Sequence, residues 1–215
     1  MVSDVSLMSD YRPAPVLRSG MLEHEINPLI AGRRSGRAID PDRPVPEALI
    51  RTLLEAARWA PSHSNEQPWA FAVATDDAPL ILTQARRSLI ETNAWARVAP
   101  VLIFVLSRKQ HSGAYWFMPN RLHLFETGMA TAQMALQASA EGLVFHQMQG
   151  FYGWQIRRLF HVPRQYAIAS AIAIGYPGNL AGLPSYLQSS ETAERERHPQ
   201  EHFVYLNTPV AIGKS

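Results

Sequence analysis

Four short stretches concentrate the side chains that could do chemistry. The first, RRSGR, places Arg33, Arg34 and Arg37 within five residues, around Ser35. Guanidiniums this close repel one another unless an anion or an acid sits among them. A guanidinium also grips phosphate through a two-pronged hydrogen bond. Ser35 and Gly36 would let a ligand approach the backbone, so a phosphate or polar-ring site is one reading and a solvated basic loop the other. The second stretch, WAPSHSNEQPW, packs Pro61, Ser62, His63, Ser64, Asn65, Glu66 and Gln67 between an expected helix and an expected strand. Chain reversal needs only about two or three polar turn residues. The surplus could hold a polar, planar ligand or form a crowded surface loop. The third, FHQMQGF, leaves an apolar run at Met148 and passes Gln149 to Gly150. Bare backbone N–H groups there could meet a ligand, and an ordinary strand-to-helix turn is the alternative. The fourth is RER, with Arg195 and Arg197 just ahead of HPQEHF.

The elements that must position these groups follow from periodicity. A short helix is expected over 27–31, ending at Gly32, and a longer one over 46–59, with Pro46 in its first turn and a stripe of Leu49, Ile50, Leu53, Leu54 and Ala57. WAFAVAT (69–75) reads as a strand, 77–90 as an amphipathic helix, and PVLIFVLS (100–107) as a strand covered on both faces. The strongest helix signal is 122–142, rich in small residues that admit a neighbouring helix, with Gly142 as its cap. A strand over 143–148, a short helix over 153–160 and a strand over 167–177 complete the pattern. Alternating strands and helices predict a layered α+β or α/β domain.

Composition narrows the classes. The chain has 215 residues, 47% hydrophobic and 18% charged, enough for one domain with a sizeable core. Residues 1–24 read as an N-terminal extension and 25–215 as a single domain. A net charge of +2 is too weak to argue for nucleic acid, although 18 of the 20 cations are arginine. There is no cysteine, hence no disulfide or thiolate metal site. No apolar run reaches the roughly 18 residues of a membrane span, and the N-terminus lacks the apolar core of a signal peptide, so the expected compartment is the cytoplasm. The sequence holds neither GxxxxGK[ST] nor GxGxxG, which argues against a P-loop or a standard dinucleotide fold. The histidines show no metal-ligand spacing, and His111, His123 and His146 read as structural.

Taken in order, RRSGR, AARWAPSHSNEQPWAF, AEGL, QMQGF, AIGYP and RER resemble the nitroreductase family of flavoproteins over about residues 27–207. The resemblance implies an α+β, three-layer α-β-α fold with a mixed central sheet flanked by helices. It also implies a homodimer with an exchanged C-terminal segment, for which FVYL (203–206) would add an edge strand to the partner's sheet. The implied cofactor is FMN. Arg33, Arg34 and Ser35 would hold its phosphate and ribityl chain, Arg37 would lie near the pyrimidine edge, and Arg195 and Arg197 would complete the phosphate clamp. Met148, Gln149 and Gly150 would bring a backbone N–H to the flavin ring. Pro61, Ser62, His63, Ser64, Asn65 and Gln67 would reach the flavin held by the partner subunit. No side-chain acid or base is obligatory.

The implied activity is ping-pong hydride transfer from NADH or NADPH to nitroaromatics, quinones or similar electrophiles. The alternatives are a specialised relative, of reductive-dehalogenase or flavin-cleaving type, and a non-catalytic flavin-binding or regulatory protein. Neither nucleic acid nor membrane is an expected partner. The chain departs from the family at Gln149, where many relatives carry Glu, and matches it poorly over 76–120. Asn93 is a candidate ring contact, and Tyr115, Trp116, Phe117 and Met118 could form a lid or pack in a core or dimer interface.

Overall fold

A computed structural model of the chain describes residues 22–210. The extension expected over 1–24 lies outside the described residues except at its end. Among the described residues four strands form the central sheet: β1 (Trp69–Thr75), β2 (Val101–Arg108), β3 (Val144–Met148) and β4 (Tyr166–Gly175), in the order β1-β2-β4-β3. Every neighbouring pair is antiparallel. This corrects the expected mixed sheet. β2 and β3 do run in the same direction, but β4 inserts between them, so no parallel neighbours arise. β1 and β3 are left as the two edges.

Alternation along the central strands builds two cores. Leu102, Phe104 and Leu106 of β2, with Ala171 and Ala173 of β4, face α3 (Pro79–Arg87) and α5 (Gly153–Leu159), meeting Leu82, Ala85 and Ile156. Val101, Ile103 and Val105, with Ile172 and Ile174, face α2 (Glu47–Arg58) and α4 (His123–Ala140). The strand over 101–108 is buried along nearly all its length because both faces are covered. The three-layer expectation therefore holds.

Helices form largely where periodicity put them. α2 buries Ile50, Leu53 and Ala57, and Pro46 stands at its N-cap, one place outside the first turn. On α4 the small residues Ala130, Thr131, Ala135 and Ala138 are buried, and Met134 fills the gap between them. At its end the Leu143 N–H bonds the Ala138 carbonyl and the Gly142 N–H bonds that of Ser139, while Gly142 adopts φ +69°. That left-handed residue is the glycine-terminated helix stop the sequence predicts.

Several elements were not expected, mostly short 3₁₀ turns, and two of them bear on the site. A 3₁₀ stretch at Glu91–Val98 carries Trp95, and a helix α6 at Ser185–Thr192 buries only Leu187 and so leaves no periodic trace. FVYL (203–206) forms no strand within the chain. No helix among the described residues is long and apolar enough to cross a membrane.

Candidate active site

At the free edge of β3 the arginines converge. The chain leaves α1 (Pro28–Gly32) and runs past β3, where Gly36 meets the Val144 side chain. The C-terminal segment returns over it. The Arg195 guanidinium donates to the carbonyls of Arg33, at 2.7 Å, and Ala31, and Arg34 donates to the Ala193 carbonyl at 2.9 Å. Arg33 reaches the Ser35 hydroxyl at 3.2 Å. Burial, then the charge of Arg197, pushes the Arg33 pKa down. Burial, then Arg34, Arg197 and Arg33, does the same to Arg195. No carboxylate salt bridge to Arg33, Arg34, Arg195 or Arg197 occurs among the described residues. The Nε of Arg195 is buried and lacks a hydrogen-bond partner. A cluster of like charges with an orphaned donor is a site that an anion would complete. Beside it a cavity of about 330 Å³ is lined by Arg33, Arg34, Ser139, Phe145, Leu180 and Glu191, among others.

Arg37 is built differently. Its guanidinium meets Glu191 of α6 at 3.2 Å and the Ser190 hydroxyl at 3.3 Å, and lies 5.9 Å from the Trp95 ring centre. The indole packs against His146 with 4.6 Å between ring centres. Glu191 and Trp95 were not singled out from sequence. Glu191 sits on a helix that buries a single apolar side chain, and Trp95 on an unrecognised 3₁₀ turn.

Beyond β3, Met148 is buried in the core, Gln149 is exposed and Gly150 is half-buried. The Gly150 carbonyl accepts hydrogen bonds from the Ile90 N–H at 3.1 Å and the Asn93 side-chain amide at 3.0 Å. A Cβ on Gly150 would come within 2.5 Å of Asn93 Nδ2 and 2.6 Å of Ile90 Cδ1. Any larger residue would force the Asn93 and Ile90 side chains to shift, and no acceptor among the described residues takes the Gly150 N–H. Asn93 thus holds the glycine turn in place.

The polar loop lies elsewhere. Pro61, His63, Ser64, Asn65 and Gln67 are exposed and Ser62 is half-buried. Ser64, Asn65 and Gln67 all have positive φ, at 48°, 56° and 43°. Such residues persist only when their surroundings over-determine them. Gln67 bonds through its N–H to the Ser62 hydroxyl and through its side-chain amide to Asn65 Oδ1. The buried Glu126 carboxylate accepts the His63 N–H at 2.6 Å. On the other flank Glu66 accepts from Arg108 at 3.0 Å, from the Ser112 N–H and hydroxyl at 3.0 and 2.8 Å, and faces His111 at 3.3 Å. Burial pushes the Glu66 carboxyl up, but the bonds from Ser112, Arg108 and His111 together hold it below its ordinary range.

One chain does not bring this loop to its own arginines. Glu126, under the loop, and Ser139, in the arginine-side cavity, stand about 20 Å apart along α4 at about 1.5 Å per residue. Across the sheet, the loop enters at edge strand β1, and Gly150 leaves edge strand β3, about 14 Å away at about 4.8 Å per strand.

Similarity to known proteins bears on what this arrangement is. The model of the nitroreductase family matches residues 30–176. A Thermus thermophilus protein named NADH dehydrogenase is 30% identical over 185 residues, covering 72% of this chain and 87% of its own. A crystal structure described as an oxidoreductase containing FMN is similar with a TM-score of 0.79 at 33% identity, over 87% of this chain and 94% of that one. A putative nitroreductase from Desulfovibrio desulfuricans, solved in complex with FMN, is similar with a TM-score of 0.66 at 25% identity, over 86% of this chain and 100% of that one.

Proposed function

The chain belongs to the nitroreductase family, and on that premise we propose that it is an FMN-dependent NAD(P)H oxidoreductase reducing nitroaromatics, quinones or similar electrophiles by ping-pong hydride transfer. The observation that carries this reading is the arginine cluster with its orphaned Arg195 Nε, which fits a phosphate monoester. When bound, FMN supplies the hydride chemistry, accepting from the nicotinamide and delivering to the electrophile. The chain's own residues bind and orient. Arg33, Arg34, Ser35, Arg195 and Arg197 hold the phosphate and ribityl end. Gly150 offers an unpartnered N–H to the ring, within the Met148, Gln149 and Gly150 turn that Asn93 braces. Arg37 stabilises negative charge at the pyrimidine edge, its own charge tempered by Glu191.

The separation of the two edges supports a homodimer. Pro61, Ser62, His63, Ser64, Asn65 and Gln67 of one subunit then serve the cofactor held by its partner. Trp116 and Phe117 are 69% and 65% exposed, which removes them from the chain's own core. With Tyr115, Met118, Leu124 and Phe125 they make an apolar surface of the kind that marks an interface. Phe203 and Leu206 are likewise exposed, as an exchanged C-terminal segment requires. Residues 25–215 form one FMN-binding domain in this reading.

An absorbance spectrum of the purified protein is the direct test. A flavin spectrum, with heat-released FMN and bleaching by NADH or NADPH under nitrogen, is the expected result. A colourless protein that ignores added FMN would overturn the proposal.

A further inference from the structure

We propose that His146 is a positioning residue with two separable tasks: its Nδ1–H sets the arginine loop on the β3 edge, and its ring sets Arg37 through Trp95. The inference rests on the FMN reading above. Nδ1 of His146 lies 3.1 Å from the Gly36 carbonyl, an oxygen that can only accept, so Nδ1 carries the proton. Among the described residues no backbone–backbone hydrogen bond joins residues 33–37 to β3. The loop that holds Arg33, Arg34 and Ser35 on one side of Gly36 and Arg37 on the other is therefore tied to the strand by this side chain.

The opposite task belongs to the ring. His146 packs on Trp95 at 4.6 Å, tilted by 58°, and Trp95 carries the Arg37 guanidinium 5.9 Å from its centre. Arg37 is thus held between an indole that His146 supports and the Glu191 carboxylate at 3.2 Å. Burial, then the charge of Arg37, lowers the imidazole pKa, which agrees with a neutral ring that donates from Nδ1. A neutral ring adds no charge of its own beside the guanidinium.

Two variants divide the tasks. His146→Asn keeps a donor near the Nδ1 position and loses the ring, whereas His146→Phe keeps the ring and loses the donor. FMN affinity by fluorescence quenching and the flavin midpoint potential by dye equilibration are measured for both, beside wild type and Arg33→Ala. His146→Phe should bind FMN about tenfold more weakly, as for a lost hydrogen bond that strands a carbonyl, with its potential unchanged. His146→Asn should bind within about threefold of wild type, on the same hydrogen-bond argument, with its potential displaced. Should His146→Phe not fold, His146→Leu takes its place in the affinity measurement. If wild type and Arg33→Ala behave as the FMN reading requires while both His146 variants bind like wild type, or Asn binds as weakly as Phe, this inference is overturned and the function stands. If wild type binds no FMN, both fall.

Discussion

The arginine cluster on the β3 edge and the polar loop on the β1 edge follow opposite electrostatic plans. The cluster gathers like charges, with the pKa values of Arg33 and Arg195 lowered by burial and then by neighbouring guanidiniums, and leaves Arg195 Nε without a partner. The loop is mostly exposed, yet carboxylates flank it on both sides and its own side chains are bonded to one another. One region lacks a carboxylate partner among the described residues, and the other is finished but held in left-handed backbone at Ser64, Asn65 and Gln67. The difference separates two ways of building a site. Frustrated charge is relieved by the ligand, so it contributes affinity. A pre-shaped loop spends its ordering cost at folding, so it contributes geometry without a further entropy loss on binding.

If that contrast is right, damage to the two regions reads out differently, and the largest effect belongs to the cluster. On the proposed FMN reading, Arg195→Ala removes a phosphate ligand, and it removes the strut under the Arg33 and Ala31 carbonyls. FMN affinity by titration should fall by about 3 kcal/mol, roughly a hundredfold, the upper range for charge-assisted bonds. Equal affinity would show that the cluster does not hold the cofactor.

Glu126→Ala strikes the loop through its buried anchor, leaving the His63 N–H unpaired and a cavity behind. Urea unfolding should show a loss of about 2–3 kcal/mol. In mixed dimers of this variant with Arg195→Ala, one of the two sites should recover near-normal FMN binding, because each defect then falls on the same site. Loss at both sites would mean that the loop serves its own chain.

Gly150→Ala tests the other end of the cofactor reading. Its Cβ would meet Asn93 and Ile90 at 2.5–2.6 Å, and such overpacking costs about 1–3 kcal/mol in stability. A melting temperature equal to wild type would show that the turn can give way.

Arg197 is exposed at the rim, so Arg197→Ala should weaken FMN binding by only about 1.5 kcal/mol, roughly tenfold, with turnover at saturating FMN little changed. The smallest effect concerns acid. Because its folded pKa is lowered, Glu66 contributes stability that is present above the ordinary carboxylate pKa of about 4.3 and is lost as pH falls through the folded value. Glu66→Gln should therefore flatten the acid limb of the stability profile and leave FMN affinity at neutral pH near wild type. An unchanged acid limb would count against the loop's carboxylate anchoring.

Much of this molecule was decided locally and could be read from the chain. The stripe of Ile50, Leu53 and Ala57 made α2, the continuous apolar run made β2, and the left-handed Gly142 ended α4. Each depends on neighbours a few residues away, which is the range over which periodicity and turn chemistry act. The RRSGR and RER clusters were likewise visible as concentrated charge, open to reading as a phosphate site or as a solvated basic loop. Tertiary structure alone decided the rest. β4 enters between β2 and β3 and turns an expected mixed sheet antiparallel, a choice of pairing that strand patterns do not encode. Glu191 reaches Arg37 across 154 residues from a helix with one buried apolar side chain, too polar to announce itself. And the loop and the arginines, both legible as concentrations of polar or charged groups, stand at opposite edges of one sheet. Their distance follows from strand order, and strand order is set by which long-range contacts bury the most apolar surface together.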